Sequence, residues 1–434
     1  MGESFNKIIG QVVIPPTVFS EIKKEIKSIL TFKKKIEDFL TKRITEILEI
    51  ILGGAVFLNA SDLHIEPEEN KIKLRARIDG MLQDVIELDQ KVYKLLLSRI
   101  KLVSGLKLNI ADRPQDGRFS ILIDNLVIEI RASTLPAEYG EAVVLRILNP
   151  KSLVEIESLG LRSDLLKVFE EEIKKPNGMI IVTGPTGSGK TTTLYAFLKK
   201  IQKPEIKIIT LEDPIEYHLE GISQTQVAPE KGYDFANGLR AIVRQDPDVI
   251  LVGEIRDLET AQIALQASLT GHLVLTTLHT NDAAGTIARL QALGEKPINI
   301  APAINMAIAQ RLVRKVCKKC VKMEKISFQE FEKIKKSLKN VSEKIIKYSE
   351  ESKIPKTVGC EDCNFTGYQG RIGIFEAFLV DDEMEKFILN SPSIAALRKK
   401  AIEKGMVTMY QDGIIKVLNG ITTIEEVERV AEST

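Results

Sequence analysis

Residues 184–191 read GPTGSGKT, directly behind the apolar run MIIVT (Met179 to Thr183) and ahead of TTLYAFLKKIQ, which carries helical spacing. A strand that breaks into a glycine-rich turn and resumes as a helix is built to hold phosphate. The glycines at 184, 187 and 189 let backbone N–H groups turn inward, and the following helix N-terminus adds positive potential. The spacing G-x-x-x-x-G-K-[ST] sets Lys190 to reach β- and γ-phosphates and Thr191 to offer its hydroxyl to Mg²⁺. Gly184, Pro185, Thr186, Gly187, Ser188, Gly189, Lys190, Thr191 and the adjoining Thr192 are therefore expected to bind a nucleoside triphosphate, with ATP the default and Mg²⁺ its companion.

Outward from this loop, strand and helix alternate: MIIVT, helix, EIKIITLE, helix, PDVILVGE, helix, HLVLTTLH, helix. Near-continuous apolar strands of this kind belong to a parallel sheet covered on both faces, an α/β fold. A nucleotide hydrolase needs a carboxylate at a neighbouring strand end to orient or deprotonate water. Glu212, Asp213 and Glu216 follow one strand and Glu254 another. Glu254 is expected to handle the water, because a charge straight after VILVG is costly unless it faces a polar cleft. Gly253 stands where an aspartate would touch the metal, which leaves Mg²⁺ to Thr191, the phosphates and water. Glu212 and His279 are further catalytic candidates. His272 and His279 flank one buried strand, and both are expected near the nucleotide edge of the sheet, where a neutral histidine can sense the γ-phosphate.

Before the phosphate loop, residues 20–52 show one or two amphipathic helices with lysines between the apolar positions, suited to self-packing or to a partner at a membrane. Residues 53–150 switch to short alternating strands (KIKLRARIDG, DVIELD, RFSILID, LVIEIRAST) with a helix over Lys91 to Ser104, a small α+β domain. The expected organisation is a helical segment at 1–52, the α+β domain at 53–150, the ATPase core at 151–310, an insert at 311–376 and a helical subdomain at 377–434. Within the last, DGIIKVLNG ends at Gly420 and ITTIEEVERV is capped near Thr422 or Thr423.

Cys317-x-x-Cys320 and Cys360-x-x-Cys363 use every cysteine of the chain. Two such pairs predict a tetrahedral zinc site, which staples an insert with little core of its own and leaves no open position for catalysis. With 61 basic and 60 acidic residues the chain has a formal net charge of +1, no field to recruit nucleic acid or an anionic membrane. No apolar run approaches a bilayer span, and the N-terminus MGESFNKIIGQ lacks a secretion signal, so a cytoplasmic location is expected.

GPTGSGKTTTLY, ITLEDPIEY, RQDPDVILVGEIRDLETA and TGHLVLTTLHTN resemble the phosphate loop, acidic box, second acidic motif and histidine box of the ATPases that drive type II secretion and type IV pilus assembly. The likeness runs from about residue 45 to the end, through ASDLHIEP, LRARIDGML, SRIKLVSGLKLNIADRPQDGRF and GMVTMYQDGIIKVLNGITTIEEVERV. It implies RecA-like domains in a homo-hexamer, each preceded by a smaller, PAS-like α+β domain, with ATP between the two and arginines of the smaller domain near the phosphates. Arg77 and Arg99 occupy family-matching positions; Arg113 and Arg118 are alternatives. It also implies peripheral association with the cytoplasmic face of the inner membrane, through a platform protein and assembly proteins. Glycine before Glu254 matches the family motif. The four cysteines fit assembly or export ATPases rather than retraction ATPases. Family members usually carry a longer N-terminal domain that binds the assembly proteins, and the helices of 20–52 are expected to do that job in reduced form. Two rival readings remain at this stage, a DNA-translocating enzyme and a nucleotide-gated scaffold.

Overall fold

The structure, a computed structural model, describes residues 10–150 and 153–431. These divide into two compact units, one of residues 10–150 with 317–320 and 358–369, the other of 153–316 with 321–357 and 370–431.

The first unit opens with β1 (Gly10–Val13), α1 (Pro16–Glu25), α2 (Ile29–Glu37) and α3 (Ile44–Phe57). It continues through β2 (Asp62–Pro67), β3 (Ile72–Ile78), β4 (Met81–Leu88), α4 (Gln90–Ser104), β5 (Gln115–Ile123), β6 (Leu126–Ala137) and β7 (Gly140–Leu148). The sheet order is β1-β5-β6-β7-β2-β3-β4, antiparallel except for β1 beside β5. Along β3, Ile72, Leu74, Ala76 and Ile78 are buried while Lys73, Arg75 and Arg77 are not, the period of two that lays one face on a core. That core includes Ile22, Phe32, Ile36, Ile47 and Ile51 of the helices together with Leu63, Leu74, Phe119 and Ile130 of the strands. The stretch 20–52 thus holds parts of three helices whose apolar faces are covered by the unit's own sheet, and no break separates it from residues 53–150.

The second unit runs α5 (Ser163–Glu172), β8 (Gly178–Thr183), α6 (Lys190–Ile201), β9 (Ile208–Glu212), β10 (Ser223–Gln226), α7 (Phe235–Val243), β11 (Val249–Val252), α8 (Leu258–Leu269), β12 (Leu273–Leu278), α9 (Gly285–Leu293), α10 (Pro297–Ile300) and β13 (Ile304–Val316). The insert contributes β14 (Lys322–Lys325), α11 (Phe328–Ser337) and β15 (Lys353–Lys356) before β16 (Tyr368–Leu379) returns to the sheet. Four helices close the chain: α12 (Asp382–Leu389), α13 (Ile394–Glu403), α14 (Met409–Leu418) and α15 (Ile424–Val430). Gly420 takes φ +73° beyond α14, and the Thr423 side chain accepts the Glu426 N–H to cap α15.

Its sheet order is β10-β9-β11-β12-β8-β13-β16, and the pairings from β10 to β13 are parallel. Every residue of β8, β9, β11 and β12 is buried, as strands sandwiched between helices require. This is the expected fold class, an α/β RecA-like phosphate-loop domain with a preceding α+β domain, a tetracysteine insert and a helical end. The insert is better supported than its sequence suggests. Ile326, Ile334, Leu338 and Ile354 join one cluster with Tyr410, Ile414 and Val427 of the C-terminal helices, and strands β13 and β16 occupy both ends of 311–376.

Candidate nucleotide and metal sites

Because the pairings from β10 to β13 are parallel, their C-terminal ends share one edge, where a doubly wound sheet binds its ligand. The phosphate loop leaves β8 at that edge, between β12 and β13. Gly184 takes φ +150° and Gly189, at the start of α6, takes +90°. A Cβ on Gly184 would lie 2.6 Å from both Gln310 O and Ser188 Oγ, so the turn closes only around glycine. Ser188 is buried and its hydroxyl has no hydrogen-bond partner. An orphaned donor inside a glycine cradle at a helix N-terminus fits a phosphate oxygen. Lys190 Nζ donates to Gly184 O at 2.8 Å and Pro185 O at 3.2 Å, which leaves one of its three donors for the ligand. Burial pushes its pKa down, against the opposing field of Glu254.

Glu254 follows β11 with its side chain 14% exposed. Its Oε2 lies 3.4 Å from His279 Nε2 and its Oε1 2.5 Å from Arg256 Nη2. The ends of adjacent strands β11 and β12 thus bring together Glu254 and His279, two of the candidates singled out in the sequence. His272 does not join them. It precedes β12, and a parallel strand begins at the edge opposite its end; there His272 Nδ1 faces Ala267 O at 3.1 Å and its carbonyl accepts the Gly178 N–H. Flanking a strand puts two residues at opposite edges, which corrects the expectation that both histidines sit near the nucleotide.

Glu212, the last residue of β9, is buried and accepts hydrogen bonds from Thr210 Oγ1 (2.5 Å), Gln224 Nε2 (3.2 Å) and the Tyr195 hydroxyl of α6. Burial raises its pKa, while these donors pull the other way. The carboxylate ties the helix behind the phosphate loop to β9. Arg77 of β3 pairs with Asp62 at 3.3 Å. Arg99 lies on α4 with its Nε buried and unpartnered.

Four residues that the sequence reading passed over also meet at the edge. Arg256 holds Glu254. Gln310 of β13 accepts from Thr193 Oγ1 of α6 at 2.7 Å. Its neighbour Arg311 donates to Gln310 O at 3.0 Å and Asn281 O at 2.9 Å, beside Gly184. Glu376 of β16, fully buried, accepts the Ala283 N–H at 2.9 Å and the Met409 N–H at 3.0 Å, so it joins the loop after His279 to the start of α14. Gln310 and Arg311 break the apolar run of INMAIAQRLV; the argument applied to Glu254 after VILVG finds them too.

The sulfurs of Cys317, Cys320, Cys360 and Cys363 all lie within 4.8 Å of one another, with 3.9 Å between Cys317 and Cys360, and 3.8 Å between Cys320 and Cys363 and between Cys360 and Cys363. Zinc–sulfur bonds of about 2.3 Å in a tetrahedron put sulfurs about 3.8 Å apart, whereas a disulfide needs about 2.05 Å. Cys363 Sγ also accepts the N–H groups of Cys360 (3.2 Å) and Gly367 (3.3 Å), bonds that favour a thiolate. The donor set fits zinc.

Residues 37–429 match the family model described as type II/IV secretion system protein. The chain belongs to that family. Type II secretion system protein E of Dickeya dadantii is 45% identical over 392 residues, 90% of this chain and 76% of that protein. The type IV pilus assembly ATPase PilB of Thermus thermophilus is 45% identical over 380 residues, 87% of this chain and 42% of the longer PilB. The ATPase DotB of Legionella pneumophila shares the fold at a TM-score of 0.64 and 23% identity, over 88% of this chain and 94% of that one. As a member of the type II/IV secretion family, the chain is an ATP hydrolase of the secretion and pilus-assembly kind. Among its described residues no helix is long and apolar enough to cross a membrane.

Proposed function

We propose that the chain works as a homo-hexameric motor at the cytoplasmic face of the inner membrane, where ATP hydrolysis drives a polytopic platform protein that assembles pilins or pseudopilins. Residues 184–192 hold the triphosphate through backbone N–H groups, Lys190 and the Ser188 hydroxyl. Thr191 would hold Mg²⁺ through its hydroxyl, and the ion would supply positive charge to the phosphates. Glu254 accepts a proton from water as its oxygen bonds to the γ-phosphorus; the bond to the bridging oxygen breaks and ADP leaves with that oxygen. Arg256 and His279 fix the carboxylate, and His279 senses the γ-phosphate. Glu212 positions the helix behind the loop. Arg77 and Arg99, at family-matching positions, are the candidates for the fixed positive charge that such a reaction needs as charge builds on the γ-phosphoryl group.

The observation that carries this reading is the meeting of Glu254 with His279 at 3.4 Å, with Lys190 in the field of the same carboxylate. Turnover of Mg-ATP per protomer, measured across protein concentrations for the native chain and Glu254→Gln, tests it. The expected result is a native rate that climbs with concentration, as a site completed by a neighbouring subunit requires, and a loss of about 10²- to 10⁴-fold in the variant. An unchanged rate in Glu254→Gln sinks the assignment, and a rate independent of concentration sinks the shared site.

A further inference from the structure

The tip of the second cysteine pair touches the N-terminal helices. Asn364 and Phe365, directly after Cys363, both sit in the left-handed region at φ +50° and +58°. Asparagine tolerates that conformation, but for phenylalanine it is strained and persists only where the surroundings impose it. Here the turn is drawn tight by Phe365 N–H to Cys360 O (2.8 Å) and Thr366 N–H to Cys363 O (3.0 Å), between the two sulfurs that a metal would clamp. The turn aims the Asn364 side chain at α2. Its Oδ1 accepts the Ile29 N–H at 2.6 Å.

Ile29 is the first residue of α2, and its N–H has no partner inside the helix. Ser28 Oγ takes the Thr31 N–H, while Thr31 Oγ1 takes the N–H groups of Lys27 and Ser28. The Ile29 donor is left to a residue far along the chain. Ser28, Ile29, Leu30, Lys33, Asn364 and Phe365 then line one wall of a cleft of about 450 Å³ against β4, and all of them belong to the same compact unit. From α2 the connection continues inward: Lys35, buried, pairs with Glu25 at 2.8 Å and Glu21 at 3.2 Å on α1.

We propose that the four-cysteine site is a metal-dependent clip for the N-terminal helices: metal loading sets the left-handed turn, the turn presents Asn364, and Asn364 caps α2. The zinc then has a target other than the body of its own insert, which already packs on the C-terminal helices. The proposal rests on the assignment of the cysteines to zinc, and it makes metal content a determinant of how α1 and α2 are presented to whatever recruits the protein.

Amide exchange at Ile29 and in peptides covering residues 28–35 of the full chain, with zinc quantified in the same samples, tests the clip. Zinc-loaded Asn364→Ala is expected to exchange about fivefold faster there, with zinc content and β8 protection unchanged. Asn364→Asp, which still offers an acceptor oxygen, is expected to restore the native rate, and chelator-treated native protein to match or exceed the alanine variant. Native exchange in loaded Asn364→Ala overturns the clip, as does chelation that strips zinc without touching residues 28–35. A native chain that neither contains nor takes up zinc overturns the metal assignment itself.

Discussion

Gly184 shows how little room the phosphate loop has. Alanine there meets Gln310 O and Ser188 Oγ inside van der Waals distance at a φ that side chains avoid, so relief comes only by displacing the loop. Gly184→Ala is expected to weaken ATP binding at least about tenfold while thermal unfolding moves by only a few degrees, readable by nucleotide titration beside calorimetry. Retained affinity would mean that the cradle tolerates a different backbone. The residues legible in the sequence are those whose partners lie at fixed local spacing: the loop, Lys190, Glu254 after its apolar strand, and the cysteine pairs. Gln310 and Arg311 leave a trace in the sequence as polar residues that break the apolar run of β13, but their meeting with the phosphate loop, like the placement of Arg256 and His272, depends on strand direction and on which strand lies next to β8. A single sequence does not encode either in its spacing.

At the scale of elements, α15 is locked to β13 by one carboxylate. Glu426, buried, takes bonds from the Arg314 backbone and Nη2 and from both nitrogens of the Arg429 fork. Burial alone would raise its pKa, but the arginines hold it at about 2 against the ordinary 4.5. Since the folded value is depressed, this stability is fully present above the ordinary value and drains away as pH falls from about 5 toward 2. Discounted for the half-exposed Arg429, the effect is about 2 kcal/mol. Glu426→Gln is expected to lower denaturant stability at neutral pH by about that much and to flatten its acid slope, and an equally steep slope in the variant would assign the acid sensitivity elsewhere. The two terminal helices themselves are readable from Gly420 and the Thr423 cap. The third N-terminal helix is not, because α3 (ITEILEIILGGAVF) is apolar nearly all round and carries no single-face period.

For the whole molecule, the two units own separate apolar clusters, so calorimetry is expected to resolve two transitions. The cysteine turns belong to the unit of residues 10–150, so chelation should lower that unit's transition and spare the other. A fall confined to the other unit would place the metal's effect on the insert body instead. The fold class was legible because strand–helix alternation and a phosphate loop constrain topology together. The assignment of 317–320 and 358–369 to the first unit was hidden, since it is a long-range pairing without local pattern. It bears on descent as well as on folding. Two short pieces of one unit are spliced into the chain of the other, so neither can be exchanged between relatives by a single crossover near residue 152, and the pair has to be inherited together.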